Sequence, residues 1–220
     1  MRHLSLTLLA VFLTVVNATY GAPSARSTQD APRYFSADDV FELEWVRSPE
    51  ISPDGKHVVW VRSGYNRSTD RPRGALWITE VATGDSQPLI TGPGSYYSPV
   101  FSPDGSRISY LAAEGGAPEL RVRWLATGRE TKIAQLEHTP KQVRWSPDGE
   151  RLAFAMFTPS SGLDLSRPKP RKPDNADWAD PMRVIDDLVF RFDGRGFLEE
   201  GADQIYWVPS HGGTPIALTR

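Results

Sequence analysis

The 220-residue chain contains no cysteine. That excludes disulfides and lipid attachment through sulfur, and a disulfide-free secreted protein of this size fits a bacterial periplasm better than an animal extracellular space. Charge of one sign is also missing: 25 basic and 27 acidic side chains leave a formal net charge of -2, with Arg and Lys scattered among acids. Such a balance gives no long-range field toward nucleic acid or an anionic membrane, so neither is expected as a partner. Histidine is sparse. His3, His57, His138 and His211 show no His-x-x-x-His spacing, so no metal site and no cofactor are expected. The one long apolar run, Leu4 to Val16, is too short to span a bilayer comfortably.

What is present is repetition. The chain is 39% hydrophobic and 10% aromatic, enough for a sizeable core and incompatible with wholesale disorder. The tetrapeptide Ser-Pro-Asp-Gly starts at Ser52, Ser102 and Ser146, a repeat of 50 and then 44 residues. A period in that range marks a propeller or a solenoid. Each copy reads as a tight turn: Ser bonds forward, Pro presets φ, Asp tolerates the third position and Gly takes a positive φ. Strand-like runs flank every turn, such as Pro99-Val100-Phe101 before Ser102 and Ile108 to Leu111 after Gly105.

A second hairpin follows in each repeat. Leu76 to Val81 turns through Ala82 to Asp85 into Pro88 to Thr91. Leu120, Val122 and Trp124 alternate with Arg121 and Arg123, then turn through Ala126 to Arg129 into Thr131 to Leu136. Ile205 to Val208 is followed by Pro209 to Gly213 and Thr214 to Thr219. Two hairpins make four antiparallel strands, one propeller blade. The expected fold is all-β: a partial β-propeller of three four-stranded antiparallel blades, with a short amino-terminal helix and a long insertion in the third blade. Trp60, Trp77, Trp124, Trp145 and Trp207 fall in these strands and are read as blade packing.

Residues 1–24 read as a secretory signal peptide: Arg2 and His3, the apolar run, then small residues, with cleavage after Val16-Asn17-Ala18 or near Ala22-Pro23-Ser24. The expected location is secreted, in a bacterial periplasm, with no membrane attachment after cleavage. Residues 25–45 are a linker and lead-in helix, capped by Ser36, with Asp39 completing the reciprocal pair and an end by about Leu43. Blades are expected over 46–94, 95–138 and 139–220, the third interrupted by an insertion over 158–202. In that insertion Pro168 to Pro173 reads as extended, while Trp178, Met182, Val184, Ile185, Leu188, Val189 and Phe190 supply apolar groups for an ordered excursion. Asn66-Arg67-Ser68 matches the glycosylation acceptor pattern and is read as plain loop. Three blades do not close a ring, since propellers take about four to eight. The chain is therefore expected to be the amino-terminal part of something larger, the other solution being a ring of several copies.

The run Val184 to Phe197 resembles the third-blade segment of secreted bacterial prolyl oligopeptidase family enzymes, most similar to the acylaminoacyl-peptidase-like branch. Gln204 to Val208, Gly212 to Thr219 and Arg121 to Leu125 fit the same pattern. The Ser-Pro-Asp-Gly blades alone also resemble the periplasmic TolB-type propellers, which implies the alternative of a non-catalytic propeller binding protein partners. Members of the peptidase family pair an amino-terminal propeller with a carboxy-terminal α/β-hydrolase domain. The resemblance implies a serine peptidase for short or blocked peptides, with the propeller as lid and size filter. Its partner would be a peptide substrate, met through the hydrolase domain.

The nucleophile of such a domain needs Gly-x-Ser-x-Gly at a strand-to-helix turn, and no such pattern stands between Met1 and Arg220. The hydrolase domain is expected beyond residue 220, and no residue is assigned as catalytic. Glu199 and Glu200 are the candidate substrate-binding pair. Dipeptidyl peptidases of this family hold the substrate's free amine with a paired glutamate from the propeller, by charge-assisted hydrogen bonds. The flanks here, Gly196-Phe197-Leu198 and Gly201-Ala202-Asp203, depart from that motif, and a solvated acidic loop is the competing reading. Asp177, Asp180, Asp186 and Asp187 lack EF-hand spacing and are read as salt links to Arg183 and Arg191.

Overall fold

The computed structural model describes residues 34–160, 172–178, 185, 188–193 and 196–219. The signal peptide and its cleavage site lie outside them, as do Pro168 to Pro170, Asp180, Met182, Arg183, Val184, Asp186 and Asp187. The chain divides into a unit of residues 1–36 and one of residues 37–220, and every element below belongs to the second. Among the described residues no helix is long and apolar enough to cross a membrane.

A 3-10 helix over Ala37–Glu42 takes the place expected for the lead-in helix. Six residues are too few for an α-helix to offset its nucleation cost, so the tighter turn is the form taken. The strands follow in three antiparallel sets of four. The first sheet holds β1 (Trp45–Ile51), β2 (His57–Asn66), β3 (Arg71–Glu80) and β4 (Ser86–Ile90), in that spatial order. The second holds β5 (Ser95–Phe101), β6 (Arg107–Ala113), β7 (Glu119–Trp124) and β8 (Glu130–Gln135), again in sequence order. The third pairs β9 (Lys141–Trp145), β10 (Arg151–Pro159), β13 (Gly201–Pro209) and β14 (Ile216–Ala217), with a small ribbon of β11 (Arg191–Phe192) and β12 (Gly196–Phe197) lying between β10 and β13 in the chain.

The Ser-Pro-Asp-Gly turns are built alike. In each, Gly donates its N–H to the Ser carbonyl at 2.8–2.9 Å and has φ of 70–71°. The Ser hydroxyl donates to the Asp carboxylate and accepts the N–H five residues on, at 2.9 Å for His57, Arg107 and Arg151. Leaving the turn backwards, the first strand of each sheet carries a bulge: the ladder shifts between Arg47 and Glu50, between Tyr97 and Val100, and opposite Ala153 and Ala155. Ser48, Ser98 and Gln142 take positive φ there, at 47°, 52° and 52°. The repeat is thus deeper than its tetrapeptide, and only the tetrapeptide was legible.

The sheets pack face to face with the second in the middle. Tyr110 and Ala112 of β6 meet Val61, Leu76 and Ile90 of the first sheet, and Ile108 meets Val59. On the opposite face Leu111, Leu120 and Val122 meet Val143, Leu152, Phe154, Met156 and Val208 of the third. Alternation of side chains along a strand makes this possible, one face for each neighbour. Links across the second junction add direction: the Trp145 indole N–H donates to the Val100 carbonyl at 3.1 Å, and Arg107 stacks over the Trp145 ring at 4.8 Å while donating to the Gly149 carbonyl at 3.0 Å. Trp60 and Trp77 stack on each other at 5.7 Å, and Trp207 lies under Arg151.

Two expectations need adjustment. The first sheet begins at Trp45, inside the segment assigned to the linker. The insertion is shorter than 158–202, because β10 and β13 stay paired out to Thr158 with Ala202 and Pro159 with Gly201. Its apolar side chains are not packed away: Trp178, Ile185, Leu188, Val189 and Phe190 are all exposed.

Candidate functional site

The strands give every sheet two ends. One end carries the Ser-Pro-Asp-Gly turns and the short β3–β4, β7–β8 and β13–β14 connections. The other carries the β2–β3 and β6–β7 turns and the long β10–β13 connection, together with the entries to β1, β5 and β9. At that second end the third sheet opens into a cleft of about 580 Å³.

Its walls come from distant parts of the chain. His138 and Lys141 stand before and at the start of β9, Phe157 near the end of β10, and Phe197, Leu198, Glu199 and Asp203 along the return to β13. The His138 imidazole meets the Phe157 ring edge-on at 5.4 Å. Lys141 Nζ donates to Asp203 Oδ2 at 2.7 Å across 62 residues of sequence, tying β9 to β13 on either side of β10. Phe190 stacks with Phe197 at 6.1 Å, and the Arg191 guanidinium lies over Phe197 at 5.8 Å. Of the apolar residues of this segment, Phe190 thus meets Phe197 beside the cleft. Arg191 takes a ring as partner, which was not foreseen.

Of the two candidate glutamates, Glu199 lines this cleft and Glu200 does not. Glu200 serves through its main chain, its carbonyl accepting the Ser160 N–H at 2.9 Å where the strands part. The pair is thus split, one carboxylate at the cleft and one backbone group closing the hairpin. Among the described residues no three His, Asp or Glu side chains converge as a metal site would require. Asp177 is exposed, and its three partners in the acidic group lie outside the described residues. His138, Lys141, Phe157 and Asp203 were missed as a group, because only the β9–β10–β13 pairing brings them together.

Nothing in this arrangement is a nucleophile beside a base. It is an amphipathic recess, aromatic on one side and carrying a paired Lys and Asp plus a further carboxylate on the other. Four-stranded antiparallel sheets stacked face to face, joined by hairpins, define a β-propeller portion.

No family model matches the chain. A curated protein of Bacillus subtilis described as an uncharacterized peptidase, YuxL, is 29% identical over 188 residues, covering 85% of this chain and 28% of that protein. The Tol-Pal system protein TolB of Alcanivorax borkumensis is 37% identical over 60 residues, or 27% of this chain and 14% of its own length. Among solved structures, acylaminoacyl peptidase of Pyrococcus horikoshii superposes with a TM-score of 0.60 at 17% identity, over 82% of this chain and 26% of that one. The structural likeness shows the fold. The chain spans about a quarter of the length of the peptidase relatives it matches. These findings support the resemblance read from the insertion: the chain is similar to the propeller portion of prolyl oligopeptidase family peptidases.

Proposed function

We propose that this chain is the substrate-gating propeller portion of a secreted serine peptidase acting on short or amino-terminally blocked peptides. In this reading the three sheets are consecutive blades and residues 160–200 are an insertion in the third. A rigid sheet array above a hydrolase site restricts access by size and helps exclude water. The carrying observation is the match to a described peptidase along 85% of the chain, against 27% for the TolB relative. Supporting it, the cleft at the end of the sheets where the β10–β13 connection leaves offers aromatic faces and ionic groups suited to a peptide. The TolB-like reading, a partner-binding propeller without catalysis, retains support from the 37% identity of its matched segment.

The readings part on a simple experiment. The purified 220-residue chain, assayed with chromogenic dipeptide and acyl-amino-acid substrates, is expected to show no turnover. Turnover by the pure chain would contradict a gating role. Reading the coding sequence past the codon for Arg220 separates the two classes: a hydrolase domain with Gly-x-Ser-x-Gly is expected, whereas only further blades followed by a stop would favour the TolB-like reading.

A further inference from the structure

We propose that a second cleft at the same end of the sheets, between the first and second, recognises a carboxylate of a peptide. The cleft holds about 270 Å³, at the small end for ligand sites and suited to one residue of a chain rather than a folded partner. Trp45, Arg47 and Ser48 of β1 face it from one side, Tyr97 and Ser98 of β5 from the other, and Arg73 of β3 closes it.

Three features point to an anion with an apolar body. The lining carries two guanidinium groups and no carboxylate, in a chain whose overall charge is negative. Arg73 shares Glu44 with Arg62, donating to it at 3.0 Å, and hydrogen bonding from Arg62 keeps that carboxyl below its usual range. Arg47 is exposed and lines the same cleft. Guanidinium is the group that meets a carboxylate with two parallel hydrogen bonds.

The second feature is the paired bulge. The β1–β2 ladder passes over Ser48 and Pro49, and the β5–β6 ladder passes over Ser98 and Pro99. Both serines take positive φ, and both line this one cleft. Gln142 takes the same conformation in the third sheet, so the bulge belongs to the repeat; what is particular here is that two of its copies bring a serine to one cleft. The third feature is the aromatic wall. Trp45 is held against Tyr65 at 5.5 Å, and Tyr97 is half-buried with its phenol pushed up by burial, partly offset by a hydrogen bond with Thr139. Across the same end of the array the larger cleft has the opposite balance, with Glu199 and Asp203 against Lys141.

The carboxylate has two sources in a peptide, its chain end or an acidic side chain. That the ligand is a peptide rests on the gating reading, whereas carboxylate recognition does not. Binding and turnover measured separately keep the two failures apart. The test is calorimetric titration of the 220-residue chain with three acetylated apolar tripeptides: one with a free carboxy terminus, its amide, and an amide carrying one Glu. The free acid or the Glu peptide is expected to bind at least about tenfold more tightly than the plain amide, and whichever is preferred identifies the source. Arg47→Gln is expected to weaken that binding by about tenfold or more, while Arg129→Gln, at the opposite end of the sheets, leaves it unchanged. Thermal melts confirm folding of each variant. If Arg73→Gln unfolds the protein by releasing Glu44, Arg47→Gln alone decides. Equal affinity for acids and plain amide, no effect of Arg47→Gln, or no binding at millimolar peptide would overturn the proposal.

Discussion

Ser102 and Asp104 carry a large share of their turn. The Ser102 hydroxyl donates to Asp104 and accepts the Arg107 N–H, while Asp104 also accepts the Ser106 N–H at 3.1 Å and the Ser106 hydroxyl at 2.6 Å. These bonds, led by that of Ser102, lower the Asp104 carboxyl from 3.8 to about 2. A carboxyl depressed in the folded state stabilises it above the unfolded pKa and ceases to do so as pH falls toward the folded one. Melting temperature should therefore drop as pH goes from about 4 to about 2, and Asp104→Asn should flatten that drop; an equally steep fall in the variant counts against this account. At neutral pH the same substitution is expected to cost about 1 kcal/mol. Gln142 offers the converse. Its φ of 52° strains any side chain with a Cβ, so Gln142→Gly should raise the unfolding free energy by about 0.5 kcal/mol, seen as a higher urea midpoint with an unchanged slope. A lowered midpoint would show that the Gln side chain matters more than the backbone.

At the scale of elements, the middle sheet takes load from both sides, and its neighbours depend on close approach. An added methyl at Gly74 on β3 would stand 2.6 Å from the Tyr96 carbonyl oxygen of β5 and 3.1 Å from the Val61 side chain. Gly74→Ala is expected to destabilise by about 1–3 kcal/mol, because the second sheet must retreat from the first. Phe154, 2% exposed in the core shared by the second and third sheets, should cost about 3–5 kcal/mol when cut to Ala. Denaturant unfolding of the two variants checks both figures, and a neutral Gly74→Ala would mean that the junction yields. The strands themselves were readable because turn chemistry and period-two alternation are local. Leu120, Val122 and Trp124 point inward as their alternation with Arg121 and Arg123 implies. The length of β10 was not readable, since its last pairs exist only because Gly201 and Ala202 return across 42 residues of chain. Nor was the lead-in helix legible as a 3-10 turn, a difference set by its six-residue length.

Over the whole molecule, the sequence marks a long connection between β10 and β13 but not the recess beside it. Glu199 could be nominated from its neighbour Glu200, yet His138, Lys141, Phe157 and Asp203 reach the same recess from strands whose pairing is settled by tertiary contacts. The anion-binding cleft is less visible still, for its arginines stand 26 positions apart and no motif joins them. Both recesses open at one end of the array. The most direct test uses the natural polypeptide that carries this chain, measuring hydrolysis of a blocked dipeptide alongside cleavage of an unfolded full-length protein containing the same scissile pair. The account predicts turnover of the small substrate and none of the large one. Cleavage of both at equal rates, or of neither, would contradict it.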